Sequence, residues 1–245
     1  MNTINNIFII RASIAPLYSG PSFTSSKISE VVSGEQVKIH DTKGNWLNVI
    51  QGDGYRGWVK DFYGTFENNL PQCNYIVIDK HPLPFGSRVQ KIENQYKTVN
   101  GDDYRFSLEP VKIGEIIKFD ILISYARSLI GCPYRWGGKT SGGFDCSGLV
   151  QTIFLLSGLL LPRDSWQQSE FFKDSFINGE KSKPGDLHFF GRDGKISHVG
   201  ISTGGLNLIH CQGWVKEESF SDNISGNKNL ADMYMHTCSV ELNLE

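Results

Sequence analysis

Apolar and polar positions alternate in short runs through the first 113 residues, and the period then lengthens. Between residues 7 and about 66, Val37 and Ile39 alternate with polar neighbours. Asn45-Trp46-Leu47-Asn48-Val49-Ile50 follows, and a Gly52-Asp53-Gly54 turn leads to Tyr55 and on to Val59. Period-two alternation with turns this closely spaced predicts a small all-β barrel. From about residue 70 to 113 the style repeats. Tyr75-Ile76-Val77-Ile78, a Pro84-Phe85-Gly86 break and an Asn100-Gly101 turn within 96–106 predict a second, shorter barrel.

Near Lys118 the spacing becomes helical. Ile121, Leu122, Tyr125, Ala126, Leu129 and Ile130 recur on one face before Gly131. A second helix is predicted from Cys146 to about Ser157, with Leu149, Val150, Ile153, Phe154 and Leu156 apolar and Gly158 as its stop. Residues 186–190, 197–202 and 206–211 then read as consecutive strands. Helices followed by an antiparallel strand set imply an α+β domain. The expected organisation is a barrel at 1–66, a divergent barrel at 67–115 and an α+β domain at 116–245.

Composition narrows the classes of partner. With 24 basic against 26 acidic residues and a net charge of -2, the chain offers no electrostatic argument for nucleic acid or an anionic membrane, and neither is expected. Cys73, Cys132, Cys146, Cys211 and Cys238 form an odd set without a C-x-x-C pair. Reduced thiols are expected rather than a disulfide framework or a zinc ribbon, and no metal or other cofactor. No Lys or Arg precedes Arg11, and the apolar run at 7–10 is too short for a signal-peptide core or a membrane span. With Met1 as the start, the expected location is the cytoplasm.

The segment Phe144-Asp145-Cys146-Ser147-Gly148-Leu149-Val150 places a thiol where a glycine-rich loop becomes a helix. Free N–H groups and the helix dipole there favour thiolate over thiol. Most cysteines in globular domains are small buried hydrophobes. Asp145, Ser147 and Gly148 set Cys146 apart, because polar residues and glycine at a helix start indicate a cap or a cleft mouth. Cys132, Cys211 and Cys238 lack such flanks.

A cysteine nucleophile needs a base and a group that orients the base. If the strands around His198 and His210 form a hairpin with the three-residue loop Thr203-Gly204-Gly205, the two imidazoles face each other on one side of the sheet. A two-residue Gly204-Gly205 loop instead sets His198 opposite Cys211, so the pairing depends on one residue of register. His188 has no partner at suitable spacing, and His40, His81 and His236 read as surface residues. Tyr134 and Trp136 could be core aromatics, although Gly137 and Gly138 beside them permit close approach of a ligand. Arg163-Asp164-Ser165 after Pro162 reads as a plain helix N-cap.

Taken together, Pro133-Tyr134-x-Trp136-Gly137-Gly138, Asp145-Cys146-Ser147-Gly148, Pro162-Arg163-Asp164-Ser165, Pro184-Gly185-Asp186-Leu187, Ser197-His198-Val199-Gly200 and Ile209-His210 closely resemble the NlpC/p60 family of cysteine peptidases. Gly34-Glu35, Gly44-Asn45-Trp46 and Gly54-Tyr55-Arg56-Gly57-Trp58-Val59 resemble a bacterial SH3-like domain, and residues 70–113 a divergent second one. The arrangement is similar to that of γ-D-glutamyl–diamino acid endopeptidases that recycle murein peptides. The resemblance implies a papain-like catalytic domain with Cys146 as nucleophile, His198 as base and then acid, and His210 orienting His198. It implies Tyr134 as an oxyanion donor, and Asp145, Ser147, Trp136, Ser165 and Tyr55 as substrate-pocket residues. Asp145 would contact the free amine of L-Ala, and Tyr55 would close the pocket. The implied partner is a murein tripeptide or tetrapeptide. One departure is that Ser26 stands where relatives often carry an acidic residue gripping the same amine, with Glu30 out of register nearby.

Overall fold

Short alternating runs in the first half of the chain become strands with one face inward. They are β1 (Ile7–Ile10), β2 (Ile14–Tyr18), β3 (Lys27–Val32), β4 (Gln36–Lys43), β5 (Trp46–Ile50), β6 (Arg56–Lys60) and β7 (Gly64–Phe66). They form one sheet in the order β3-β2-β6-β5-β4-β1-β7. Phe8, Ile10, Ala15, Leu17, Val31, Val37, Leu47, Val49 and Val59 fill its core, contributed by alternate positions as a period of two requires. The structure is a computed structural model that describes residues 6–67, 69–80, 82–103, 106–116, 118–221 and 228–241. His81 lies outside them.

The second stretch forms a four-stranded sheet, β10-β9-β8-β11, from β8 (Tyr75–Ile76), β9 (Arg88–Ile92), β10 (Gln95–Lys97) and β11 (Val111–Lys112). Ile9, Cys73 and Val99 pack into one buried cluster, and the Arg88 amide donates to the Ser33 carbonyl at 2.8 Å. The two sheets accordingly share one compact unit, Met1–Ile113, which also takes in Trp136–Gly142 with β12 (Lys139–Thr140). Buried carboxylates of the barrel hold that distant segment. The Lys139 amide donates to Glu30 Oε2 at 3.1 Å, and Lys139 Nζ lies 3.8 Å from Glu35 Oε1. Burial pushes the Glu35 carboxyl up, but the charges of Lys139 and Arg88 and a hydrogen bond from Gln51 outweigh it and hold the pKa low. Gly137 has φ +72, and an added Cβ would sit 3.0 Å from the Ser29 amide nitrogen, so the segment lies flush on β3 because it has no side chain there.

The second unit, Gly114–Arg135 with Gly143–Glu245, is α+β. Helix α1 (Phe119–Ser128) buries Leu122, Ile123 and Ala126. Ile121 and Ile130, expected on that face, are 39% and 46% exposed, because the buried stripe is rotated toward Ile123. After β13 (Gly143–Phe144) comes α2 (Cys146–Leu155), buried along most of its length and followed by Gly158 at φ +80. Helix α3 (Ser165–Phe171) starts at Asp164 with a capping box to Gln167, as the N-cap reading expected.

Six strands complete the unit: β14 (Phe176–Ile177), β15 (Leu187–Arg192), β16 (Lys195–Gly204), β17 (Asn207–Gln212), β18 (Trp214–Ser219) and, after α4 (Lys228–Ala231), β19 (Tyr234–Cys238). They are ordered β14-β19-β15-β16-β17-β18. Among the described residues no helix is long and apolar enough to cross a membrane.

Candidate active site

Asp145 starts α2. Its side chain accepts from the Gly148 amide at 2.7 Å, satisfying one of the N–H groups that a helix start leaves without a partner. Cys146 is therefore the first helical residue, and it is 8% exposed. The sequence reading expects a lowered thiol pKa at this position. The structure shows the reverse: burial, reinforced by the Asp145 charge, pushes the thiol up to about 11. The Val199 and Ser147 backbones and Arg163 act in the opposite sense and do not outweigh it. These groups still matter, because they are in place to stabilise negative charge on sulfur once it forms. The Val199 contact also brings the chain next to His198 up to the thiol.

His198 and His210 meet by a register other than the expected one. Ile201 pairs with Ile209 and Ser202 with Leu208, and a bulge between Ser202 and Gly204 precedes the turn. The hairpin is thus displaced by two residues, which preserves the face but makes the histidines diagonal neighbours rather than direct ones. They are bonded nonetheless, with His198 Nε2 to His210 Nδ1 at 2.7 Å and the rings at 81°. Gly200 occupies the space beside His210. A Cβ on it would lie 3.0 Å from His210 Cβ and 2.5 Å from Leu208 Cδ1.

Burial, His210 and Lys216 push His198 down to about 3, and burial also lowers His210 against the pull of Glu218. At neutral pH the buried thiol and imidazole both rest uncharged, since the site penalises either charge formed alone.

Beside Cys146 lies a buried ion pair. Arg163, 1% exposed, donates from Nη2 to Asp145 Oδ2 at 2.6 Å and from Nη1 to Asp145 Oδ1 at 3.0 Å and Ser147 Oγ at 3.1 Å. Asp145 thus caps α2 and anchors Arg163 at once. Ser147 and Ser165 are 5% and 8% exposed, and Gln168 donates to the Ser147 carbonyl at 3.1 Å.

Tyr134 is 37% exposed, and burial of its hydroxyl with the nearby Cys146 and Asp145 pushes its pKa up to about 12. It is a hydrogen-bond donor throughout the neutral range. Trp136, 66% exposed, and half-buried Tyr55 belong to the first unit, where Tyr55 packs against the barrel core. In that unit Ser26 is exposed, whereas Glu30 is buried against Lys27 Nζ and the Lys139 amide.

Other polar residues have structural partners. His188 bonds Thr237 Oγ1 through Nδ1 at 2.8 Å, and burial pushes it down to about 4. His236, expected at the surface, is half-buried, bonded to Ser169 Oγ at 2.9 Å and packed on Phe176 and Phe189. His40 is exposed. All five cysteines are free and buried, and among the described residues no cluster of three or more His, Cys, Asp or Glu could hold a metal.

Sequence reasoning missed Arg163 and Glu218. The first looked like a helix-cap neighbour. The second lies on β18, a strand that Gly213 and the alternation from Trp214 onward could have indicated.

Comparison with known proteins agrees with this geometry. The NlpC/P60 family model matches residues 131–233, and the bacterial SH3 domain model matches residues 15–63. A gamma-D-glutamyl-L-lysine dipeptidyl-peptidase of Bacillus subtilis (strain 168) is 28% identical over 213 residues, covering 74% of this chain and 71% of that protein. Its counterpart in Bacillus cereus (strain ATCC 10987 / NRS 248) is 26% identical over 222 residues, covering 74% of this chain and 66% of that protein. The chain thus spans about two thirds of the length of these relatives. The crystal structure of an NlpC/P60 family protein from Bacillus cereus ATCC 10987 superposes with a TM-score of 0.78 at 20% identity, covering 97% of this chain and 100% of that one, and so shares the fold. A cysteine at a helix start, two bonded histidines on adjacent strands and the matched segments all lead to one assignment: the chain carries an NlpC/P60 domain over residues 131–233 and, ahead of it, a bacterial SH3 domain over residues 15–63.

Proposed function

We propose that this protein is a cysteine peptidase that hydrolyses the γ-D-glutamyl–diamino acid bond of murein tripeptides or tetrapeptides with a free N-terminal L-Ala, in cytoplasmic recycling of cell-wall peptides. The observation that carries the reading is Cys146 at the start of α2 in the same unit as the bonded pair His198–His210. The two relatives bearing the dipeptidyl-peptidase name support the choice of bond.

Because thiol and imidazole rest neutral, proton transfer from Sγ to His198 accompanies attack on the γ-carbonyl, and the two charges form together. The tetrahedral oxyanion takes hydrogen bonds from the Tyr134 hydroxyl and a backbone N–H at the head of α2. His198 then passes its proton to the leaving amine, leaving L-Ala-γ-D-Glu as a thioester on Cys146. Water, deprotonated by His198, releases the dipeptide and restores the thiol. Ser147 and Ser165 contact the substrate's glutamyl portion, and Asp145 receives the L-Ala ammonium alongside Arg163.

Mass spectrometry of L-Ala-γ-D-Glu-diaminopimelate and its lysine analogue, incubated with wild type and Cys146→Ala, tests the proposal. The dipeptide is expected from wild type alone. Absence of dipeptide from reduced wild type with both substrates, or cleavage confined to intact sacculi, would reject it.

A further inference from the structure

We infer that Glu218 is a positioning residue that fixes the tautomers of both imidazoles and so leaves Nδ1 of His198 as the nitrogen that accepts the thiol proton. This rests on the peptidase reading of the site.

The inference starts from two hydrogen bonds in series. His210 Nε2 lies 2.7 Å from Glu218 Oε1, and His210 Nδ1 lies 2.7 Å from His198 Nε2. A carboxylate only accepts, so Nε2 of His210 must carry the hydrogen. A neutral imidazole has one N–H, so Nδ1 of His210 is then the bare nitrogen. It can only accept, which puts the hydrogen of His198 on Nε2. The remaining nitrogen of His198, Nδ1, is left as the base.

Strand geometry holds the relay. His210 pairs with Lys216 and Leu208 with Glu218, so Glu218 reaches His210 along a diagonal of the β17–β18 hairpin. His198 reaches it along a diagonal from β16 on the other side. The charged groups coupled to this line are Glu218 and Lys216, whose Nζ lies 3.3 Å from Glu218 Oε1 and 5.1 Å from the Trp214 ring centroid. Lys216 opposes a positive charge on either imidazole. Glu218 is therefore also the countercharge that a protonated His198 needs, relayed through a neutral His210.

Without the carboxylate, His210 is free to hold its hydrogen on Nδ1. That hydrogen would face the N–H of His198, and relief of the clash by moving the His198 hydrogen to Nδ1 would remove the base. Loss of the directly orienting carboxylate of a serine-protease triad lowers kcat by about 10⁴ through the wrong tautomer. Glu218 acts one residue further away, so Glu218→Ala should lower kcat by roughly 10–100-fold with KM little changed. Glu218→Gln can still accept through its amide oxygen, so it should retain more activity. Loss of the negative charge should move the acid limb of its rate profile to lower pH.

The deciding measurement is ¹⁵N–¹H NMR of the histidine rings in the full-length protein at neutral pH. Wild type should show both His198 and His210 protonated on Nε2. Glu218→Ala should mix or invert the His210 tautomer, and Glu218→Gln should preserve it. The rate of Cys146 alkylation by iodoacetamide should fall in the same order. The NMR measurement needs no substrate, so a changed tautomer supports the inference even if the murein peptide proves not to be cleaved. Unchanged ring tautomers in a folded Glu218→Ala protein, with wild-type alkylation, would overturn it.

Discussion

Gly200→Ala is a one-carbon test of the register that joins the two histidines. The added Cβ would stand 2.5 Å from Leu208 Cδ1, 3.0 Å from His210 Cβ and 3.3 Å from the Ile209 carbonyl oxygen. The Leu208 methyl can rotate away. His210 Cβ and the Ile209 carbonyl are fixed to β17, so relief of those contacts has to move the strand. Bringing the contact to an ordinary carbon–carbon separation of about 3.5–4.0 Å requires a displacement on the order of 0.5–1 Å.

Overpacking of this kind costs about 1–3 kcal/mol. For a chain of this size that lowers Tm by roughly 2–12 °C. The same displacement stretches the 2.7 Å bond from His198 to His210 to about 3.2–3.7 Å, from the long edge of the hydrogen-bonding range to beyond it. Misplacement of a catalytic group by about 1 Å can cost up to ~100-fold, so kcat should fall by at least about 10-fold with a smaller change in KM. Thermal unfolding and cleavage kinetics on the proposed substrate, L-Ala-γ-D-Glu-diaminopimelate, measure the two effects. A variant with both the Tm and the kcat of wild type would refute the reasoning, because Gly200 could not then be the spacer beside His210.

Arg163→Met should leave the Asp145 carboxylate buried without its guanidinium and destabilise the protein by about 3–5 kcal/mol, which urea unfolding would show as a lower midpoint with an unchanged slope. The buried histidines predict a loss of stability on mild acidification. With His188 held down to about 4 and His198 to about 3, the unfolded chain binds protons first as pH falls below about 6.5. Stability is fully present above that pH and declines by up to about 1.4 kcal/mol per pH unit for each such histidine until the folded values are reached. A Tm that stays level between pH 7 and pH 5 would contradict it. At the alkaline end the direction reverses: Cys146 held up to about 11, and Cys211 and Cys238 to about 12, should cost stability as pH rises past the ordinary thiol range. Replacing Cys238 with Ala should shift that alkaline midpoint upward in a pH titration of the far-UV circular dichroism.

Much of the site was legible locally. Asp145 before Cys146 signalled a helix cap because the capping bond spans only three residues, and α2 begins where that pattern places it. The strands around His198 and His210 were visible from alternation, and a shift of two residues left both rings on the same face, so the pair survived an error in register. His236 read as a surface residue because nothing in its own segment predicts Ser169 and Phe176 as neighbours. Arg163 looked like part of a cap because its partner Asp145 lies 18 positions away, and no periodicity connects them.

The sequence by itself determined the types of the elements that carry Cys146, His198 and His210, the place of Cys146 at a helix start and the identity of the two histidines, because each depends on spacing within a few residues. Tertiary structure decided what those residues are chemically. It buried Cys146 until its thiol rests neutral, placed Gly200 beside His210, and put Glu218 at the end of the relay. Desolvation and the meeting of separate strands arise only when the chain closes on itself, and no local pattern records them.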